Sequence, residues 1–167
     1  MERKKIVAVV GPGRTATEEQ CKLAYDIGFM IAENNWVLVN GGVRHGVMQS
    51  SSHGAHDCKG EIIGILPYRL PSETHQPSGY LTICIQTNLA EARNTIIAQT
   101  CDVMIAIGMC PGTASEVAFA IKEGKPVILL GHDVKSLEFF RDVLKGSVYC
   151  PENIGLAESY IKLSFRA

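Results

Sequence analysis

Three times in this 167-residue chain a short apolar run stops at glycine and gives way to residues with helical spacing. The stretches are IVAVVGPGRTATEEQ from Ile6, WVLVNGGVRHGVMQS from Trp36 and VMIAIGMCPGTASEV from Val103. Strands buried on both faces read as near-continuous runs of this kind, and a strand that repeatedly feeds a helix belongs in a parallel sheet. The feature therefore implies an α/β, doubly wound parallel sheet, in a single domain over residues 1–167. Ligands in such sheets sit outside the carboxyl ends of the strands, where these glycine turns lie.

The periodicity predicts strands over Lys5–Val10, Trp36–Val39, Glu61–Leu66, Leu81–Ile85, Val103–Ile107 and Val127–Leu130. Helical spacing runs from Thr17 to Asn34, with apolar or small residues at Cys21, Ala24, Tyr25, Gly28 and Ile31. Thr17 and Gln20 fit a capping box at its start. Gly46–Cys58 reads as a small-residue helix, and Leu89–Thr100 as one with an apolar face at Ala92, Ile96 and Gln99. A fourth helix begins after Pro111, and two shorter ones are expected near Ser136–Leu144 and Leu156–Leu163. Tyr68 to Tyr80 reads as a polar, irregular surface connection.

Net charge is -1, so there is no electrostatic footprint for nucleic acid or an acidic membrane. Behind the basic MERKK the apolar run is only Ile6 to Val10, too short for a signal-peptide core or a membrane span. A cytoplasmic protein is expected. Its cysteines, Cys21, Cys58, Cys84, Cys101, Cys110 and Cys150, form no C-x-x-C pair, so a structural zinc is not expected. Most read as small buried apolar residues, Cys110 excepted because it stands in a turn. His53 and His56, beside Asp57, have a spacing that could serve a metal but more often marks exposed or packing residues, and no metal site is assigned.

The turns carry the chemistry. Gly11-Pro12-Gly13-Arg14-Thr15-Ala16 matches G-x-G-x-x-G/A between a strand and a helix, a place where backbone amides and the helix N-terminus can meet a phosphate. A nicotinamide-dinucleotide site would also want an acidic residue closing the second strand, and here Val39-Asn40-Gly41-Gly42 has none. NAD is therefore not expected. Gly41, Gly42, Arg44 and Gly46 pair glycines with a cation at the next helix start, read either as a second phosphate or polar-ring contact or, more plainly, as a tight turn with an exposed Arg44 and His45. Gly108, Cys110, Gly112 and Thr113 form the third turn. Glu116 follows in or near the first turn of its helix, where a carboxylate can also be a simple dipole partner. Arg93, one turn into the preceding helix, is either a surface residue paired with Glu91 or Asp26 or, with Glu116, an anion clamp beside an acid/base.

The segments NGGVRHGVMQSSSHGA, GEIIGILP, EARNTIIAQTCDVMIAIG and PGTASEVAFAIKEGKPVILL resemble the LOG-like Rossmann family, long mislabelled as lysine decarboxylases. The resemblance spans Lys5 to Gly131 and implies a Rossmann-like fold. Short members of that family include phosphoribohydrolases, which split nucleoside 5'-monophosphates, and molybdenum cofactor carriers, closer to this chain in look. Carried over onto the enzymes' P-G-G-x-G-T-x-x-E motif, Gly112 and Thr113 match the G-T, Glu116 the glutamate, and Arg93 the upstream arginine. Where the motif has P-G-G this chain has Gly108-Met109-Cys110. Side chains there and the missing amide of Pro111 reshape the pocket and tilt the reading from catalysis towards holding a ligand.

The resemblance thus implies a carrier for the molybdenum cofactor, its phosphate and anionic metal head held by the glycine turns and by Arg14, Arg44 or Arg93, with no protein ligand to the metal demanded, although Cys110 could be one. The alternatives are a phosphoribohydrolase, with Arg93 and Glu116 as catalytic residues, and a nucleotide-binding sensor without turnover. It further implies a homodimer or homotetramer, through helices such as Leu89–Thr100, and molybdoenzymes or cofactor-synthesis proteins as partners.

Overall fold

The computed structural model describes residues 3–68, 76–132 and 134–166. In chain order the elements are β1 (Ile6–Val10), α1 (Glu18–Glu33), β2 (Val37–Asn40), α2 (Gly46–Asp57), β3 (Ile62–Leu66) and β4 (Ile83–Gln86). A 3-10 turn (Ala90–Ala92) runs into α3 (Arg93–Thr100), followed by β5 (Val103–Ile107), α4 (Pro111–Lys122) and β6 (Val127–Leu130). Then come α5 (Val134–Glu138) with a π turn (Phe139–Val143), β7 (Val148–Tyr149) and α6 (Ile154–Ser164).

The strands pair in parallel in the order β4-β3-β2-β1-β5-β6-β7. The chain builds outward from β1 to β4 and then returns to the other side of β1 to place β5. That reversal is the topological switch, and it brings the carboxyl ends of β1 and β5 together, with Val10 opposite Ala106. Side chains alternate between two cores. Ile105 and Ile107 face the layer of α1, α2 and α6, while Met104 and Ala106 face α3, α4 and the π turn. Each fully buried isoleucine or leucine contributes about 1.5–3 kcal/mol relative to exposure.

Local signals act as the sequence implies at α1. The Thr17 hydroxyl accepts from the Gln20 amide at 3.2 Å, and the Gln20 side chain accepts from the Thr17 amide at 3.0 Å. The crossing of α1 and α2 depends on two glycines. A Cβ on Gly28 would run into the Ser51 carbonyl oxygen, and one on Gly54 into that of Tyr25.

Several expectations are corrected. β7 lies outside the expected strands; two residues are too few to carry a period. The fourth strand starts at Ile83 rather than Leu81, and all its residues are exposed because it is the sheet edge. α3 starts at Arg93 itself, after the 3-10 turn, so its buried face is Arg93, Asn94, Ile97 and Ala98, leaving Ala92 and Gln99 exposed. The expected Ser136–Leu144 helix is α5 plus the π turn, and the last helix begins earlier, at Ile154. Of the cysteines only Cys101 is buried, its thiol pushed up to about 12 by burial, while Cys84 and Cys150 are exposed. The expected irregular stretch from Tyr68 to Tyr80 falls largely on 69–75, outside the described residues.

Candidate functional site

At the switch between β1 and β5 a cavity of about 130 Å³ opens against the N-terminus of α4. Its wall brings together Gly11, Gly13, Gly41, Arg93, Cys110, Gly112, Thr113 and Glu116 from the residues singled out in the sequence. Arg14, Gly42, Arg44, Gly46 and Gly108 stand outside that wall. Arg14 and Arg44 are exposed, and the Arg44 amide donates to the Gln76 carbonyl at 2.8 Å. Gly42, Gly46 and Gly108 all have positive φ, in the left-handed region that glycine enters without penalty, and they shape the turns from behind.

The start of α4 is open. Pro111 occupies the first helical position, where its missing N–H is one of the amides a helix leaves unbonded anyway. Cys110 is the N-cap residue, yet its side chain makes no capping bond. The Cys110 sulfur instead lies 3.2 Å from the hydroxyl of the buried Thr113. The amides of Gly112 and Thr113 have no intrahelical acceptor and point out of the first turn, beside the positive end of the helix dipole. A Cβ built on Gly112 would meet only the Cys110 sulfur, at 3.9 Å. The space beside this glycine is kept for something other than protein.

Arg93 is not a surface residue. It is 7% exposed, and Nη1 donates to the carbonyl of Gly41 and, at 2.6 Å, to that of Ile65. The guanidinium thereby ties the ends of β2 and β3 to α3, while its Nε is buried without a partner. Burial draws its pKa down, with Glu116 and Glu91 pulling it back up. Glu116 lies in the second turn of α4, 8% exposed, with no hydrogen-bond partner among the described residues. It forms no ion pair with Arg93 there. Burial raises its carboxyl to about 8, against the opposing pull of Arg93 and with a further push from Glu91.

The wall also contains Val10, Met48 and Asn94, which the sequence does not single out, and Glu91, read there only as a surface partner of Arg93. Asn94 adjoins Arg93 in the EARN run and is 3% exposed, its amide donating to Ser115 at 2.9 Å. That neighbour is the available signal; Met48 gives none, since it enters through the β2–α2 packing. Asn40, which stands where a dinucleotide-binding strand carries its acid, is fully buried. Its amide donates to Met48, Ser51 and Ser52, and its oxygen accepts from the Gly42 amide at 2.8 Å, so it braces the turn from within.

Away from the cavity, His53 stacks on Tyr80 with ring centres 4.5 Å apart, and Asp57 accepts from the Tyr25 hydroxyl at 2.7 Å. Among the described residues no group of three or more His, Cys, Asp or Glu is placed to hold a metal. Nor is any helix there long and apolar enough to cross a membrane.

The fold recurs in known proteins. The chain is 43% identical to the molybdenum cofactor binding protein of Rippkaea orientalis, covering 96% of this chain and 99% of that one with a TM-score of 0.88. It is 36% identical to the molybdenum cofactor carrier protein of Chlamydomonas reinhardtii, covering 99% and 100% with a TM-score of 0.91. An uncharacterised protein of Archaeoglobus fulgidus is 40% identical over 124 residues, 74% of this chain and 78% of its own length. The sequence profile of the SLOG cluster4 family matches residues 4–154, the span that holds the whole sheet and every wall residue of the cavity, and the chain belongs to that family.

Proposed function

We propose that this protein binds and carries the molybdenum cofactor, with the open N-terminus of α4 at the β1–β5 switch as its docking point. The observation that carries the reading is an anion-seeking helix end left uncapped by its own side chain and facing a cavity. Its likeness over nearly the full chain to cofactor-binding and cofactor-carrying proteins supports the same cargo. The cavity measures about 130 Å³. Sites that engulf a drug-sized ligand begin at roughly 300 Å³. The space therefore fits one anionic end of the cofactor, leaving the rest across the rim where Arg14 and Arg44 stand exposed. No side chain of the wall has to bond the metal.

A second reading has one specific observation behind it. A carboxyl held near 8 suits a general acid or base at neutral pH, as a phosphoribohydrolase would use at Glu116 beside Arg93. Cys110 in the turn and the engagement of Arg93 Nη1 with backbone carbonyls favour holding over cleavage. A nucleotide sensor without turnover would use the same helix end. On the carrier reading the protein works in the cytoplasm as a homodimer or homotetramer, delivering to molybdoenzymes or receiving from cofactor-synthesis proteins.

Anaerobic incubation with molybdenum cofactor and, separately, with AMP tests the proposal, with mass measurement of what is retained and what is cleaved. Retained cofactor, protected from oxidation, and intact AMP that washes away are expected. Free adenine would favour the hydrolase instead, and AMP retained intact without cofactor retention the sensor.

A further inference from the structure

The geometry points to Glu116 as a neutral carboxylic acid that donates its proton in a hydrogen bond to the anionic end of the cargo, so that capture requires a protonated Glu116. The inference deepens the carrier reading and rests on it. The cavity collects positive potential from the first turn of α4 and from Arg93, yet one of its walls is a carboxyl group. Were that group ionised, it would face an incoming anion without a countercharge bonded to it.

Its surroundings argue against the ionised form. Glu116 is 8% exposed and has no hydrogen-bond donor among the described residues. A buried carboxylate is tolerated where donors or a paired cation compensate it, and here neither is bonded to it. The charged and titratable groups that share the cavity are Glu91 from the 3-10 turn, Arg93 from α3 and Cys110 at the head of α4. The wall residues from the turn after β1 and from β2–α2 are Gly11, Gly13, Gly41 and Met48, which do not titrate. Arg93 acts on Glu116 through space only, and Glu91 pushes towards the neutral form. The carboxyl accordingly holds its proton to about pH 8.

A neutral acid in turn wants an acceptor. Two polar side chains of the wall are engaged within the protein, Asn94 with Ser115 and Thr113 with Cys110, while Glu91 lines it as a second carboxyl group that makes no hydrogen bond to Glu116 among the described residues. An oxygen of the bound anion supplies that acceptor. Binding an anion there raises the affinity of Glu116 for its proton, so above the free protein's pKa each cargo bound takes up one proton. Affinity then falls as pH rises, by about tenfold per pH unit once Glu116 is ionised in the free protein.

The test uses molybdenum cofactor released anaerobically from a purified molybdoenzyme. Its retention is measured from about pH 7 to about pH 10, a range above the roughly pH 6 second ionisation of a phosphate monoester. Protein-free cofactor at each pH corrects for decay. Wild-type protein is expected to lose affinity above about pH 8, whereas E116Q, which keeps a neutral donor, stays level across the range. Circular dichroism confirms that the variant is folded. A flat wild-type profile with strong retention overturns the proton coupling and leaves the carrier reading standing. A decline that persists in E116Q assigns the proton elsewhere and overturns it too, as does a folded E116Q that retains nothing at any pH. No retention by wild type at any pH sinks the carrier reading, and this inference with it.

Discussion

Two glycine-bearing turns at the carboxyl edge of the sheet look alike in sequence and do opposite work. The turn from β2 to α2 is filled by the protein itself. A Cβ on Gly41 would lie 2.6 Å from both Arg93 Nη1 and the Met48 sulfur, and one on Gly46 would run into the carbonyl oxygens of Gly13 and Pro12. The amide of Val47, at the head of α2, already donates to Pro12 at 3.1 Å. The turn from β5 to α4 is filled by nothing comparable beside Gly112, and its first amides remain for a ligand. Glycine at a helix start therefore has two meanings. One lets backbone meet backbone; the other keeps a space clear.

The widest separation between the turns comes from Gly46→Ala. The residue has positive φ, in the left-handed region. A Cβ there costs roughly 1–2 kcal/mol before any contact is counted. The added atom would also collide with two backbone carbonyls, which no side-chain rotation can relieve. The total loss should reach about 4 kcal/mol, the upper end for a single substitution. Chemical denaturation reads it directly. An alanine variant as stable as wild type would mean that the β2–α2 turn has slack, and the contrast between the turns would collapse.

Glu116→Gln probes the open turn from within. The folded carboxyl titrates near 8 and the unfolded one near 4.5. Between those values the folded state carries a proton that the unfolded state has lost, so stability falls as pH rises through that window. The loss is complete above about pH 8 and absent below about pH 4.5. Glutamine carries no such charge, although burying its amide still costs something. Relative to wild type the variant should gain a few kcal/mol between acid and alkaline pH, starting slightly less stable in acid, where only the burial of its amide counts, and ending more stable in alkali. Denaturation midpoints across that range check it. A constant difference at every pH would show that Glu116 finds a donor that compensates its charge.

What can be read from the amino-acid order follows from how local each signal is. Apolar runs ending in glycine mark β1, β2 and β5, and Thr17 with Gln20 marks the start of α1, because every determinant lies within a few residues. Gly112, Thr113 and Glu116 are legible for the same reason, as parts of one strand–turn–helix junction. Arg93 is legible as a charge near the site but not as a brace, since its acceptors lie 52 and 28 residues away in the chain. The positive φ of Ala90 leaves no mark in the sequence, so periodicity starts α3 too early and sets its buried face one step out of register. Met48 and Val10 reach the cavity only because α2 and β1 pack as they do.

The smallest effect makes the finest cut between the turns. Gly112→Ala should leave the fold intact, because the added methyl meets only the Cys110 sulfur at 3.9 Å. Gly112 is also the second residue of α4. Alanine is the better helix former there, so stability should hold or rise by up to about 1 kcal/mol. The methyl nevertheless enters the cavity beside the two ligand-facing amides, and misplacing an anion there by a fraction of its contact distance weakens each charge-assisted bond. Cofactor retention should drop about tenfold, equivalent to about 1.4 kcal/mol, with no loss of stability. The same substitution at Gly46 reverses that order, with stability falling far more than binding. If Gly112→Ala bound the cofactor as tightly as wild type, the cargo would not approach the head of α4, and the cavity's opening would have to be explained by the rim rather than by the helix.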